Sequence, residues 1–399
     1  MKKTLLIAAL AVFTITSCSK DQVVEIPQDA IKFSVVTDNG TKAAAVYCQN
    51  NLMDEFQVFA QTNTGAGFIT GDGDKIEYVD GAWQNQTAVR YWPESGSLDF
   101  YAIFNGTLIF APSTDANAEV GVVKDFSPAE GVKEQKDLLY AVAKSQVKSG
   151  GAVEMNFRHA LSQIEFRAQN LNPNLHVEIG KVKVGKVYEK GTYVLPNLST
   201  EGPFVDHAQN SNETLNRGNW KFEDAKRDYE VNVYPTENLS GMTDFAAVYY
   251  NPSNSVNLTC SVDAEDGTRD FSKSMLLLPT VNNTDTDGLK AWEPTAGLAD
   301  YNGTYLGVYC IFYNVASGTA NASNIVYLNE GWAYLPVDIK WEEGKKYIYT
   351  FKFTTDGNGG YGPDPDPVDP DPILTPITYT VTVDDFEKGA NTEYELEVE

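Results

Sequence analysis

Short apolar segments with a period of two residues, each followed by turn residues, recur throughout this chain. Examples are KFSVVTDNGT at residues 32–41, DEFQVFAQTNTGAG at 54–67 and KKYIYTFKFTTDGNGG at 345–360. Such alternation is typical of half-buried β-strands, and an aromatic content of 12%, with 22 tyrosines, also favours sheets. No long stretch of the sequence keeps the helical period of 3.6 residues. The sequence therefore predicts an all-β chain of sandwich domains.

The chain of 399 residues is longer than one hydrophobic core usually organises, so we expect two folded domains. A run rich in Pro, Gly and Asp follows the last long β-rich region and predicts a stiff linker, because proline-rich segments extend as polyproline II. The predicted divisions are a signal peptide at 1–17, an N-terminal tether at 18–30, an N-terminal β-sandwich domain at 31–200, a C-terminal β-sandwich domain at 201–355, a linker at 356–376 and C-terminal strands at 377–399.

The first seventeen residues, MKKTLLIAALAVFTITS, have the organisation of a secretory signal peptide. Two lysines precede a short apolar run, and that run is too short to span a bilayer as a helix. The next residue completes the segment Ile-Thr-Ser-Cys at 15–18, which resembles a bacterial lipobox. We therefore expect cleavage to leave Cys18 as a lipid-bearing N-terminus. The alternative is ordinary signal cleavage near a chance cysteine.

Charge and cysteine content exclude several classes of function. The formal net charge of −25 argues against nucleic-acid binding, which needs clustered Lys and Arg. Beyond Cys18 the cysteines are Cys48, Cys260 and Cys310, widely spaced and without a Cys-x-x-Cys pair. Neither a disulfide framework nor a zinc site is implied, and we expect no cofactor. The state of these three thiols is left open.

The sequence carries no catalytic motif, so we expect no enzyme activity. Gly-x-Ser-x-Gly and phosphate-binding loops are missing from the sequence, and no pair stands out among its 55 acids. His159 lies among apolar neighbours in NFRHALSQIEF, which predicts a packed and hydrogen-bonded histidine. The segment 283–288 begins like a calcium loop, but its twelfth position falls on Pro294 instead of an acid. We interpret it as a polar turn.

The C-terminal segment has the strictest alternation in the chain. Its apolar side consists of Ile377, Tyr379, Val381 and Val383, and threonines lie between them. A second alternating run, with Tyr394, Leu396 and Val398 opposite glutamates, follows. Such strands need a sheet to join. Two alternatives stay open at this point: the segment folds back on its own domain, or it joins a sheet of another molecule.

Several short motifs, taken together, resemble the fimbrillins, the type V pilus subunits of Gram-negative anaerobes, and their fimbrillin-like lipoproteins. These motifs occur in family order across most of the mature chain. They are Tyr91-Trp92-Pro93, Leu98-Asp99-Phe100-Tyr101-Ala102, Asp137-Leu138-Leu139-Tyr140-Ala141, Asn156-Phe157-Arg158-His159-Ala160-Leu161, Gly191-Thr192-Tyr193, Leu276-Leu277-Leu278-Pro279, Tyr334-Leu335-Pro336 and Trp341-Glu342-Glu343-Gly344-Lys345-Lys346-Tyr347.

This resemblance implies two tandem transthyretin-like β-sandwiches, export as a lipoprotein to the outer membrane, and polymerisation by strand exchange. In that scheme a protease removes the first strand of a subunit, and an extended donor strand of a neighbouring subunit fills the groove. The implied partners are other pilus subunits, the outer membrane through the lipid on Cys18, a processing protease, and a host or glycan ligand. The implied donor residues are Ile377, Tyr379, Val381 and Val383, with Tyr394, Leu396 and Val398 as an extension.

The chain departs from the family at the processing site. The family residue is an arginine, whereas the matching position here is Lys42, followed by Ala43 as the new N-terminus. No arginine precedes Arg90. An arginine-strict protease would leave the first strand in place, which suits an unprocessed anchor or base subunit. A further alternative is a monomeric lipoprotein that binds glycans on aromatic side chains, with Trp83, Tyr91, Trp92, Tyr101 and Trp332 as candidates; these side chains are equally expected to fill the sandwich cores.

Overall fold

The computed structural model describes residues 30–36, 47–48, 51–201, 217–238, 240–262, 269–270, 273–282, 284–293, 303–314, 331–355, 377–385 and 394–396. Within these ranges the chain is made of β-strands and connections, with one 3-10 turn at Val132–Glu134. These ranges contain no helix with the length and apolar composition that a membrane span requires. The predicted all-β fold class is confirmed.

Twelve described strands precede residue 160. They are β1 (Phe33–Val36), β2 (Tyr47–Cys48), β3 (Asn51–Leu52), β4 (Glu55–Thr62), β5 (Gly67–Val79), β6 (Ala82–Asn85), β7 (Leu98–Phe104), β8 (Leu108–Phe110), β9 (Gly121–Phe126), β10 (Leu139–Gln146), β11 (Val153–Asn156) and β12 (Arg158–His159).

Fifteen described strands follow. They are β13 (Ser162–Asn170), β14 (Leu175–Tyr188), β15 (Gly191–Val194), β16 (Asn219–Phe222), β17 (Lys226–Asn232), β18 (Ala246–Val248), β19 (Val256–Asn257), β20 (Ser261–Val262), β21 (Arg269–Asp270), β22 (Met275–Leu277), β23 (Tyr305–Asn314), β24 (Gly331–Pro336), β25 (Lys345–Phe353), β26 (Ile377–Asp385) and β27 (Tyr394–Leu396).

The N-terminal part has three layers. Its central sheet has the order β12-β10-β7-β4-β5-β6, with the pair β1-β11 on one face and the sheet β16-β15-β9-β8 on the other. Phe100 of β7 belongs to the core on the first face, and Tyr101 belongs to the core on the second. Both faces of β7 are therefore covered, which explains why LDFYAIF is buried at every position.

The C-terminal part is a sandwich of two sheets. One sheet has the order β19-β13-β25-β26-β27, with β22 also paired to β13, and the other has the order β17-β14-β23-β24, with β18 also paired to β14. Phe166 of β13 stacks with Phe351 of β25 at 5.9 Å between ring centroids, and both lie in one core with Val177, Val308 and other apolar residues. Face-to-face packing of this kind buries the inner side chains of both sheets.

Strand pairing crosses the boundary that the sequence predicts at residue 200. The strand β13 precedes that position, yet it pairs in parallel with β25, from Gln163 with Lys346 to Asn170 with Phe353. After β14 the chain returns to the N-terminal part, where β15 pairs with β16 on one side and with β9 on the other. It re-enters the C-terminal sandwich at β17. The sheets are therefore closed by strands from both sides of the predicted boundary, and the tandem division itself stays a prediction.

Candidate functional site

The strand β26 lies in a sheet of its own chain, antiparallel to β25. Its nine residues pair with the nine residues of β25, from Ile377 opposite Phe353 to Asp385 opposite Lys345. Of the two alternatives left open by the sequence, the structure thus describes the one in which the segment folds back. Donation of this strand to another subunit stays a prediction.

The apolar side of β26 faces the C-terminal core. Ile377 is 2% exposed, whereas the neighbouring Thr378 is exposed. Tyr379, Val381 and Val383 are partly buried and pack against the same core, and the ring of Tyr379 lies 6.3 Å from that of Tyr349. Burial raises the pKa of the Tyr379 hydroxyl. The apolar side predicted by the alternation therefore packs against a core, and this core belongs to the same molecule.

The strand β27 covers the outer edge of β26. Val381 is opposite Leu396 and Val383 is opposite Tyr394 in an antiparallel ladder. Within the described residues β26 is therefore an interior strand, with β25 on one side and β27 on the other. If β26 and β27 left the sheet together as a hairpin, their own ladder would be kept, and the ladder to β25 and the contacts with the C-terminal core would be lost. The two alternating runs of the C-terminal segment thus form one paired unit.

The first strand forms part of the N-terminal core. Ile31, Phe33 and Val35 are 6%, 5% and 3% exposed, and they join a core otherwise made of residues 53–157. The ring of Phe33 meets those of Phe56 and Phe100 edge to face, at 6.3 Å and 5.5 Å between centroids. Removal of β1 would therefore leave an apolar groove on this core.

Backbone hydrogen bonds hold the first strand on both sides. On one side β1 runs parallel to β11, with Phe33 opposite Val153, and the amide of Val153 donates to the carbonyl oxygen of Lys32 at 2.7 Å. On the other side the amide of Ile31 donates to the carbonyl oxygen of Arg90 at 2.7 Å. Loss of β1 would leave these partners unpaired, and unpaired strand edges favour the addition of a new strand.

An ion pair between the buried Asp74 and the partly exposed Arg90 fixes the segment that binds Ile31. Arg90 Nε and Nη2 donate to the two carboxylate oxygens of Asp74 at 2.7 Å and 2.8 Å, and Asn85 Nδ2 donates to Asp74 Oδ2 at 2.8 Å. Burial by itself raises the pKa of Asp74, but these hydrogen bonds and the charge of Arg90 outweigh it and lower the pKa. The bidentate geometry positions the backbone of residue 90 against the first strand.

A buried carboxyl joins the N-terminal layers to the sheet that carries β26. Glu343, two residues before β25, accepts hydrogen bonds from the hydroxyls of Tyr140 and Tyr193 at 3.2 Å and 3.0 Å. Burial raises the pKa of Glu343 to about 7, against the opposing effects of Arg217, the two tyrosines and Arg158. The base of β25 is thus attached to β10 and β15 through one titratable group.

The other sequence-predicted residues have varied placements. Four of them, Cys18, Lys42, Ala43 and Val398, lie outside the described residues. So do residues 18–29 of the predicted tether at 18–30, the linker at 356–376 and much of 377–399, and the roles assigned to all of these stay predictions. His159 is buried and its Nδ1 is hydrogen-bonded to Asp137, which confirms the expectation of a packed histidine.

The residues weighed for other functions have structural roles in the described part of the chain. Cys260 and Cys310 are both buried, and burial raises the pKa of the Cys310 thiol. At the calcium-like segment, Asn282 Oδ1 accepts hydrogen bonds from the amides of Thr284 and Asp285, as in a polar turn. Asn283 lies outside the described residues, and no metal-binding group of His, Cys, Asp or Glu occurs in the remainder.

The aromatic side chains weighed for glycan binding belong mainly to the cores. Tyr101 is fully buried, and Trp83 and Trp92 pack against the N-terminal core. Trp332 stacks with Tyr334 and lies beneath the ammonium of Lys183, 4.2 Å from the ring centroid. Tyr91, in contrast, is 50% exposed. The five side chains therefore do not converge on a single exposed face.

Sequence reasoning missed the pair of Asp74 and Arg90 and the Glu343 cluster. Asp74 lies in GDGDKIE, which predicts only a hairpin turn, and nothing in the local sequence shows that its partner lies sixteen positions later. The partners of Glu343 are 203 and 150 positions away. The local sequence offers no signal, because each acid has another acid close to it, Asp72 for Asp74 and Glu342 for Glu343.

Comparisons with known proteins show that the chain is similar to fimbrial proteins. A family model described as fimbrillin-like matches residues 36–364. A fimbrial protein from Bacteroides vulgatus ATCC 8482 has the same fold, with 13% identity, 90% of this chain and 99% of that chain covered, and a TM-score of 0.54. A candidate cell adhesion protein from Bacteroides ovatus ATCC 8483 has 12% identity, 90% and 98% coverage, and a TM-score of 0.43. None of the curated proteins compared with the chain matches it.

Proposed function

Because the chain belongs to the fimbrillin-like family, we propose that it is a structural pilus subunit that polymerises at the cell surface by protease-triggered donor-strand exchange. Cleavage after Lys42 releases the segment that contains β1, and a C-terminal strand of another copy enters the vacant groove. The polymer supports adhesion, and the lipid on Cys18 carries the subunit to the outer membrane before cleavage. The protein has no enzymatic role in this proposal.

The observation that carries this proposal is the way in which the N-terminal core binds the first strand. Phe33 and Val35 of β1, together with Ile31 just before it, are almost fully buried in a core formed by residues from 53 to 157, and the backbone of this segment is bonded on both sides. Only a short connection separates β1 from the candidate processing residues Lys42 and Ala43. A single cut can therefore uncouple a strand that the core needs, which creates a specific vacancy for an extended segment.

The docking of β26 in its own sheet reduces the free energy that strand exchange can release. Burial of Ile377, Tyr379, Val381 and Val383 in a new groove contributes about 6–12 kcal/mol before costs. Leaving the ladder to β25 offsets part of this amount, because that ladder and the contacts with the C-terminal core are lost. The net driving force is therefore the filling of the vacancy left by β1. An intact subunit, whose groove is occupied, has no such vacancy.

Limited cleavage by a Lys-specific protease tests the proposal. We expect the treated protein to form ladders that survive in unboiled denaturing gels, and mass spectrometry to find Ala43 as the new N-terminus. The Lys42→Gln variant is the matched control, because it removes the cut and keeps the rest of the chain. Protein that begins at Ala43 and stays monomeric would contradict the proposal. A native surface protein that retains lipidated Cys18 and β1 would instead be an anchor or base subunit.

A further inference from the structure

The apolar sides of the first strand and the C-terminal strand have the same order of residues. The segment Ile31-Lys32-Phe33-Ser34-Val35 presents Ile, an aromatic ring and Val at alternate positions, and Ile377-Thr378-Tyr379-Thr380-Val381 does the same. In both segments the intervening residues are polar. The donor segment thus repeats the side-chain pattern that the N-terminal core already accommodates.

We propose, on the basis of the proposed function, that this repeat fixes the register of exchange between two copies of this chain. In the polymer Ile377, Tyr379 and Val381 occupy the places of Ile31, Phe33 and Val35. The incoming strand runs parallel to β11 of the acceptor, as β1 does. Tyr379 is the specificity-determining residue, because it takes the position of Phe33 in the groove. We call this position the central place.

The ring contacts of Phe33 support this register. Phe56 and Phe100 surround Phe33 edge to face, so the central place in the groove fits an aromatic ring. A shift of the donor by two residues would put Ile377 or Val381 there and leave a cavity. A shift by one residue would turn threonines into the core, because strand side chains alternate between faces. The aromatic neighbours of Phe33 therefore disfavour a shift of two residues, and the alternation of side chains disfavours a shift of one.

The backbone contacts support the same register. The bridge between Ala30 and Tyr91 is bonded through the amide of Ile31, which donates to the carbonyl oxygen of Arg90. In the proposed register Pro376 takes the place of Ala30, whose own amide is not the donor in that bond. A proline can lie at such a position without removing a ladder hydrogen bond. The amide of Ile377 then donates to Arg90, and the carbonyl of Thr378 accepts from Val153.

Disulfide cross-links between pairs of introduced cysteines measure the register directly. Ser34 pairs with Glu154 on β11, so the proposal places Thr380 of one copy beside Glu154 of the next. The test variant is Thr380→Cys with Glu154→Cys, cleaved at Lys42 and then oxidised. We expect a ladder that survives boiling and collapses with reductant. The single variants measure the background of Cys48, Cys260 and Cys310.

Two alternative pairs separate the outcomes. Thr378→Cys with Glu154→Cys reports a strand that enters in the reverse direction, because reversal about Tyr379 exchanges Thr378 and Thr380. It also reports a parallel strand shifted so that Ile377 takes the place of Phe33. Thr382→Cys with Glu154→Cys reports a shift of two residues. Cross-links mainly in either alternative pair, or in none of the three while unboiled ladders form, would overturn the register but keep the proposed function. If no variant, nor the unaltered protein, forms ladders, the proposed function fails and the register fails with it.

A second measurement tests the central place without cysteines. Tyr379→Phe is expected to leave the lifetime of unboiled ladders within about twofold, whereas Tyr379→Val shortens it at least about tenfold, since lost interface contacts act mainly on dissociation. Thr378→Val is the matched control on the outward side. Equal lifetimes for Tyr379→Val and Tyr379→Phe would show that the central place does not select an aromatic ring.

Discussion

Arg90 donates two hydrogen bonds to Asp74, at 2.7 Å and 2.8 Å, while its own carbonyl oxygen accepts the amide of Ile31. The carboxylate of Asp74 is only 1% exposed, so its charge depends on this partner. Arg90 thus connects the buried charge of Asp74 to the backbone position that binds the first strand.

Replacing Arg90 by Gln is expected to destabilise the uncleaved protein by about 1–3 kcal/mol, because Asp74 is left buried without its charged partner. The free energy of unfolding in urea measures the change. Lys75→Ala is the control, because Lys75 is exposed between Glu55 and Glu77 and solvent screens that pair. A loss at Arg90 as small as that at Lys75 would contradict a structural role for the buried pair.

Acid should reduce the effect of this substitution. The pKa of Asp74 lies below its ordinary value, so its ionised form stabilises the fold above the ordinary pKa, and this contribution is lost as the pH falls through the lower, folded-state pKa. The difference between the native protein and Arg90→Gln is therefore expected to be full at neutral pH and to shrink below about pH 4. Urea titrations at several pH values measure it, and a constant difference would be inconsistent with an ionised Asp74.

Replacing Phe33 by Ala in the uncleaved protein is expected to cost about 3–5 kcal/mol, because a ring with two aromatic neighbours is removed from the core. Thermal unfolding of the N-terminal part measures the cost. Ser34→Ala, one residue along the strand on its outer side, is the matched control. Similar melting temperatures for the two variants would show that β1 contributes little to the core.

Replacing Ile377 by Ala is expected to cost about 2–5 kcal/mol, because Ile377 is buried in its own C-terminal core. Thr378→Ala is the control, since Thr378 is exposed. Hydrogen exchange of the β25 amides gives a local measurement and should become faster only in Ile377→Ala. Unchanged protection would mean that β26 does not stay docked in the free subunit.

The stability should also depend on Glu343. Its folded-state pKa of about 7 exceeds the ordinary value of 4.5, so the folded protein binds a proton that the unfolded chain has released. Stability from this group is present below about pH 4.5 and is lost as the pH rises through 7, by up to about 3 kcal/mol. Glu343→Gln should remove this slope, which chemical unfolding between pH 4.5 and pH 8 measures. Tyr193→Phe, which keeps the carboxyl, should retain it.

The sequence predicts those parts of the fold in which one strand face is exposed. The alternation from Ile377 to Val383 identifies β26 and its buried side, because the pattern depends only on neighbouring residues. It does not identify the sheet that β26 joins. That choice depends on β25, whose residues Tyr349 and Phe351 would suit many partners.

The sequence does not predict strands that are covered on both faces. In β13, Gln163 and Glu165 are as buried as Ile164 and Phe166, so polar residues no longer mark an exposed side. The parallel pairing with β25 therefore has no local signal, and a boundary at residue 200 follows from composition alone. The ion pair of Asp74 and Arg90 also has no local signal, because the two residues lie sixteen positions apart.

The parallel pairing of β13 with β25 has a consequence for biogenesis. Gln163 is opposite Lys346, so on the proposed export route β13 leaves the secretion channel long before its partner strand does. Until then its two edges are open to incorrect pairing, and contacts between such distant segments form slowly. A periplasmic chaperone that holds residues 162–170 until translocation is complete would suit this order of events, whereas the three N-terminal layers can begin to assemble earlier.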